Sequence, residues 1–209
     1  MPQVSMSQWV NDVKVGKLAS FPTDTVPALA AEPHQGDRIF AFKQRPTTKP
    51  LILLAAAWLD LLPYVAGTPT EIDQWQTLAR QHWPGALTLV LPASDRVPVA
   101  INPLQTGTVG VRIPDHPVAL ALLSQTGALA TTSVNRSGQP ALLTQAAIEQ
   151  QFPDLLTLSP AALTALTDAA KTSGQKASGV PSTVIQWIAP RQSWQLIRQG
   201  RVILDSALS

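Results

Sequence analysis

Apolar and polar positions divide the chain into short strand-like runs separated by amphipathic stretches. LILLAA (51–56) is a buried run of strand length, and ALTLVL (86–91) and TVGVRI (108–113) read as strands too. LASF (18–21) is a strand that enters the polar loop PTDTVP (22–27). ALATTSV (128–134), VPSTVIQWI (180–188), WQLIRQG (194–200) and RVI (201–203) supply the later strands. Helical spacing marks SMSQWVNDVKVGK (5–17), with Ser5 or Ser7 as the cap and Gly16 as the stop. DRIFAFK (37–43) is a short helix capped near Asp37. EIDQWQTLARQHW (71–83) places Ile72, Trp75, Leu78 and Ala79 on one face. HPVALALLSQTG (116–127) ends at Gly127, TQAAIEQQF (144–152) is a further short helix, and WLDLLPYV (58–65) is helix or turn. The stretch 159–178 begins helical and turns small and polar, which predicts a mobile loop. The 19 prolines fall mostly at element boundaries. Strands alternate with helices, so the predicted class is α/β: one domain over 1–209, a mixed sheet with helices packed on it.

Composition narrows the chemistry. At 209 residues and 45% apolar, the chain can bury a sizeable core. A net charge of +2 gives no global basic surface, so any phosphate recognition has to be local. One concentration of charge exists: Arg38, Lys43, Arg45 and Lys49 face a single nearby acid, Asp37. Cysteine is absent, which removes disulfides and thiolate metal sites and fits a reducing cytosol. The N-terminus lacks an apolar signal core, and the longest apolar run is too short to span a bilayer, so a cytoplasmic protein without membrane contact is expected.

The familiar catalytic signatures are missing. There is no phosphate-binding G-x-x-x-x-G-K-[ST], no G-x-G-x-x-G and no G-x-S-x-G. His34, His82 and His116 have no ligand spacing. Instead, polar loops flank the strands: PTDT, KQRPTTKP, RIPDHP, SVNRSGQP and SGVPST. Strand-end loops are where α/β sheets build ligand sites. Their hydroxyls, amide and cations suit an anionic, oxygen-rich ligand.

These loops carry a resemblance. FPTDTVPALA, KQRPTTKPLIL, WPGALTLVL, VGVRIPDHP, TTSVNRSGQP, GVPSTVI and LIRQG, in that order over 21–200, resemble the threonylcarbamoyl-AMP synthase (Sua5/YciO/YrdC) family. Single tripeptides such as Lys43-Gln44-Arg45 or Ser133-Val134-Asn135 carry little; the ordered set is specific. The resemblance implies a YrdC-like twisted sheet with a deep, positively lined cavity. It implies an enzyme joining L-threonine, bicarbonate and ATP into threonylcarbamoyl-AMP with release of pyrophosphate, for the t6A modification of tRNA. It implies Mg2+ travelling with ATP and no metal ligands from the protein.

Residue by residue, the resemblance assigns Lys43, Arg45 and Lys49 to the triphosphate or pyrophosphate. Thr108, Ser133, Asn135 and Arg198 match nucleotide contacts. Thr23 and Ser182 match the threonine pocket, Arg112 matches the arginine holding the threonine carboxylate, and Thr131 offers its backbone there. Three departures stand out. Pro27 and Ala28 replace the aromatic and glycine of P-T-[DE]-T-x-[YF]-G-L, Leu54 stands where several members carry a histidine, and Val134 adds bulk beside the nucleotide. Read without the resemblance, the 43–49 cations are a solvated face, Arg112 pairs with Asp115, Asp115 caps the helix that follows, and Asn135 makes a turn. Two other functions fit the same residues. One is a non-catalytic module holding double-stranded RNA by shape, with RNA or tRNA-modification proteins as partners. The other is a relative that transfers carbamoyl groups.

Overall fold

A computed structural model of the chain describes residues 2–44, 46–170 and 177–204. Arg45 and positions 171–176 of the expected mobile loop lie outside the described residues. Along the chain come β1 (Gln3–Val4), α1 (Met6–Lys14), β2 (Ala19–Phe21), β3 (Ala28–Ala31), α2 (Gly36–Lys43), β4 (Ile52–Leu54) and α3 (Trp58–Leu61). They are followed by α4 (Pro69–His82), β5 (Leu87–Pro92), β6 (Thr108–Arg112), α5 (Pro117–Thr126) and β7 (Leu129–Ser133). The chain continues through α6 (Gln145–Gln151), β8 (Thr157–Leu158), α7 (Pro160–Ala169), β9 (Thr183–Ile188) and β10 (Ser193–Arg198). None of the described helices is long and apolar enough to cross a membrane.

Eight strands form a mixed sheet in the order β10-β9-β5-β6-β4-β7-β3-β2. The pairs β5–β9 and β4–β6 are parallel and the rest antiparallel. Strand side chains alternate between the two faces. One face carries Leu29, Leu53, Leu89, Val111, Ala130 and Ile185, which pack on Ile39 and Phe40 of α2 and on Trp75, Leu78 and Ala79 of α4. The other carries Ala28, Ala30, Leu54 and Leu129, which pack on Trp9, Val10 and Val13 of α1 and on Val118 and Leu122 of α5. Those two helices cover only the β2, β3, β4 and β7 side. The rest of this face holds Thr88, Arg112 and Val184 and forms part of a cavity wall.

Local signals explain the helix ends. Ser5 caps α1, accepting the Gln8 amide at 3.3 Å, and Gly16 follows the helix at φ 91°. Thr68 and Glu71 form a reciprocal capping box on α4, with Pro69 at the first turn. Other expectations are corrected. Gln35, without a side-chain bond, holds the cap position of α2, and Asp37 falls inside the first turn. His116, not Asp115, stands at the cap of α5. Residues 201–203 form no strand, whereas Ala28–Ala31 form a buried one that the sequence pattern did not reveal.

Candidate active site

The turn 22–27 between β2 and β3 folds onto itself. Thr23 Oγ1 donates to the Val26 carbonyl at 2.7 Å and accepts the Thr25 amide at 3.2 Å, a hydroxyl-stabilised turn. The segment before β9 docks on this turn: the Ser178 and Gly179 amides donate to the Asp24 and Thr25 carbonyls at 3.1 and 2.9 Å. Between them ends β6, carrying Arg112. The residue is 4% exposed, and three partners hold its side chain: Gly85 O by Nε at 2.8 Å, Thr25 Oγ1 by Nη1 at 2.9 Å, and Asp24 Oδ1 by Nη2 at 2.5 Å. The ion pair with Asp115, the reading without the resemblance, is therefore replaced by one with Asp24. Asp24 is nearer because the turn passes over the end of β6, while Asp115 gives its backbone amide to the same Asp24 oxygen at 3.2 Å.

A guanidinium has five donors. The three contacts of Arg112 use one N–H on each of its nitrogens, and each terminal nitrogen carries a second donor. Burial lowers the Arg112 pKa and Asp24 pulls it back up; the group stays charged. Burial likewise lowers the Arg198 pKa.

The second half of the site is built on Lys43, the last residue of α2 and only 2% exposed. Its Nζ donates to the Ser133 carbonyl and, at 2.8 Å, to Asn135 Oδ1. Asn135 Oδ1 also accepts Ser133 Oγ at 2.6 Å, while Nδ2 donates to the Gln139 carbonyl at 2.6 Å. The lysine of K-x-R thus meets the serine and asparagine of S-x-N in one polar knot that shapes the loop 133–139. Charge-assisted bonds of this kind are about twice as strong as neutral ones.

These elements enclose a cavity of about 520 Å³, within the range of small-molecule sites. The structure brings Thr23, Arg112, Thr131 and Ser182 to its wall, and with them Ser133, Asn135 and Arg198. Among the described lining residues, Arg112 and Arg198 are the charged ones; carboxylates and histidines are absent. Pro27, Ala28 and Leu54, the residues of the first two departures, also line it. Val134 does not: its side chain is fully buried in the opposite core, which corrects its expected place beside a nucleotide. Lys43 supports the wall from behind rather than lining it. Lys49 is exposed and outside the wall, next to the lining Pro50. Thr108 begins β6, four residues from Arg112; it shares that face by alternation but bonds to Thr106 Oγ1 at 3.0 Å, outside the cavity.

Thr25, one of the loop hydroxyls, lines the cavity as well, whereas the pattern missed Thr88. Thr88 Oγ1 lies 2.8 Å from Ser182 Oγ, both deeply buried and both lining the cavity. Its signal was present as the lone polar residue in ALTLVL. Arg198 donates to the Ser182 carbonyl through Nη2 at 2.8 Å and Nε at 3.2 Å, tying the end of β10 to the same place. Gly200 makes this close approach possible: a methyl there would stand 2.3 Å from the Pro181 carbonyl oxygen.

With this geometry in view, comparison with known proteins is decisive. The model of the Sua5/YciO/YrdC family, described as "Telomere recombination", matches residues 11–200. The chain belongs to the Sua5/YciO/YrdC family. A threonylcarbamoyl-AMP synthase of Vibrio cholerae is 36% identical over 201 residues, covering 94% of this chain and 97% of that protein. The threonylcarbamoyl-AMP synthase of Bacillus subtilis is 36% identical over 146 residues, 66% of this chain and 40% of that protein. Among solved structures, P. abyssi Sua5 complexed with L-threonine superposes with a TM-score of 0.78 at 31% identity, covering 93% of this chain and 54% of that one. E. coli YciO shares the fold at a TM-score of 0.74 and 22% identity, over 93% of this chain and 88% of that one. The mixed sheet with flanking helices is thus the fold of Sua5/YciO/YrdC proteins.

Proposed function

We propose that this chain is a threonylcarbamoyl-AMP synthase that joins L-threonine, bicarbonate and ATP and releases pyrophosphate. The observation that carries the reading is Arg112, a buried guanidinium with one N–H left on each terminal nitrogen, lining the same cavity as the loop knotted by Lys43, Ser133 and Asn135. Relatives bearing that name, and a related structure holding L-threonine, support it.

The threonine carboxylate pairs with Arg112, leaving its amine near Thr23, Thr25 and the Thr88–Ser182 hydroxyl pair. The amine nitrogen bonds to the bicarbonate carbon with loss of water, giving a carbamate. A carbamate oxygen then bonds to the α-phosphorus of ATP, the bond from that phosphorus to the bridging oxygen breaks, and pyrophosphate leaves. With no carboxylate or histidine in the described wall, the protein contributes through positioning and fixed positive charge. Ser133, Asn135 and Arg198 serve the nucleotide. Thr131 lies on the threonine side, and Thr108 at the outer end of the same sheet face. By their place in the sequence, Arg45 and Lys49 serve the phosphate tail.

Mg2+ enters this proposal with ATP. Mg2+ is held mainly by substrate phosphate oxygens with few protein ligands, so the phosphates of ATP suffice to bring it. A role in the t6A modification of tRNA and a cytoplasmic location complete the proposal. The test is pyrophosphate release with ATP and Mg2+, omitting threonine and bicarbonate in turn. Release that needs both is expected; release indifferent to either contradicts the reading.

A further inference from the structure

We propose that Asp24 is a positioning residue for threonine: it fixes the angle at which Arg112 offers its two remaining N–H groups to a carboxylate. The inference rests on the reading of Arg112 given above. Asp24 is 3% exposed and is not among the residues lining the threonine cavity; it borders a second hollow of about 550 Å³. It therefore acts on substrate only through Arg112.

The geometry shows how. Asp24 Oδ1 takes Arg112 Nη2 at 2.5 Å and the Asp115 amide at 3.2 Å, so one oxygen is held between the end of β6 and the start of α5. The Asp24 carbonyl accepts the Ser178 amide at 3.1 Å and Arg201 Nη1 at 3.4 Å, so its backbone is held as well. Gly85 O and Thr25 Oγ1 hold the Nε and Nη1 positions of the guanidinium. Without Asp24 the Nη2 corner is unrestrained, and the plane can tilt about the other two contacts. A bidentate carboxylate contact depends on that plane, whereas the Lys43–Ser133–Asn135 knot contains no atom of the Asp24 cluster. Loss of Asp24 should therefore weaken threonine and spare ATP.

The experiment is calorimetric titration of the full chain with L-threonine and, separately, with ATP and Mg2+. Four variants are compared with the wild type: Asp24→Ala, Asp24→Asn, Asp24→Glu and Arg112→Ala. For Asp24→Ala we expect at least a tenfold weaker threonine Kd with the ATP Kd within twofold of wild type. Asp24→Asn, which keeps an acceptor oxygen in place, should restore threonine binding to within threefold. If Asp24→Ala fails to fold, Asp24→Glu keeps the charge but displaces the oxygen, and the same selective loss is expected. Wild-type threonine affinity in the folded Ala or Glu variant overturns the proposal. So does a parallel loss of ATP binding, which marks a merely structural role, or an Asn variant as weak as Ala. If Arg112→Ala also binds threonine like the wild type, the reading of Arg112 fails together with this one; if only Arg112→Ala loses binding, the reading of Arg112 stands and the inference about Asp24 falls.

Discussion

Gly200→Ala is the smallest perturbation with a large expected effect. An added methyl would lie 2.3 Å from Pro181 O, 2.4 Å from Ser182 C and 2.4 Å from Thr183 N, all backbone atoms that cannot swing away. Ordinary contact between such atoms requires about 1 Å more, so residues 198–201 must lift off the start of β9. That movement stretches the Gly200 amide bond to Thr183 Oγ1 (3.0 Å), the Arg201 amide bond to Pro181 O (3.2 Å) and the Arg198 clamp on Ser182 O (2.8 Å). Overpacking costs about 1–3 kcal/mol, and each weakened hydrogen bond adds roughly 0.5–1.5 kcal/mol. With partial relaxation, about 2–4 kcal/mol is expected overall. For a chain of this size each kcal/mol lowers Tm by about 2–4 °C, so the midpoint should fall by roughly 10 °C in a calorimetric scan. Ile203→Ala, at an 86% exposed position, is the control and should stay within about 0.5 kcal/mol. A Gly200→Ala protein that melts with the wild type would refute the claimed close approach.

Three further outcomes follow from the same contacts. Lys43→Met removes the donor to Ser133 O and Asn135 Oδ1, and should cost about 2–4 kcal/mol in urea unfolding while weakening ATP far more than threonine. Thr68→Ala opens the α4 capping box and should cost about 1 kcal/mol by the same measurement at neutral pH. Glu71 has its pKa lowered, first by the Thr68 backbone bond and then by Trp187 and the Thr68 side chain. A lowered folded value means its contribution is present above the ordinary carboxylate range and lost as pH falls through the depressed value. The stability gap between wild type and Glu71→Gln should therefore close in acid; a gap that widens on acidification contradicts the capping role.

The sheet was legible where strands are long and bordered by punctuation, as in LTLVLP and TVGVR. Ala28–Ala31 was not, because alanine carries little strand preference and the segment is a strand only through pairing with β2 and β7. β1 and β8, two residues each, are too short to show a period. At the site, the motifs named the residues but not their partners. Sequence proximity pointed Arg112 toward Asp115; the chain brings Asp24 from 88 positions away. The crowded cations of KQRPTTKP suggested side chains reaching toward phosphate, yet Lys43 turns inward to Ser133 and Asn135, because α2 ends beneath the end of β7. Thr88 was passed over because its neighbours in the strand are core residues.

The central claim is that one cavity joins an amino acid to a nucleotide through a carbon taken from bicarbonate. The most direct measurement is mass spectrometry of the product formed from ATP, Mg2+, L-threonine and ¹³C-bicarbonate. The expected product is an adenylate whose carbamoyl carbon carries the label, one mass unit heavier than with unlabelled bicarbonate, and no such product forms with Arg112→Ala. An adenylate without the label, or the labelled product undiminished in Arg112→Ala, would contradict it.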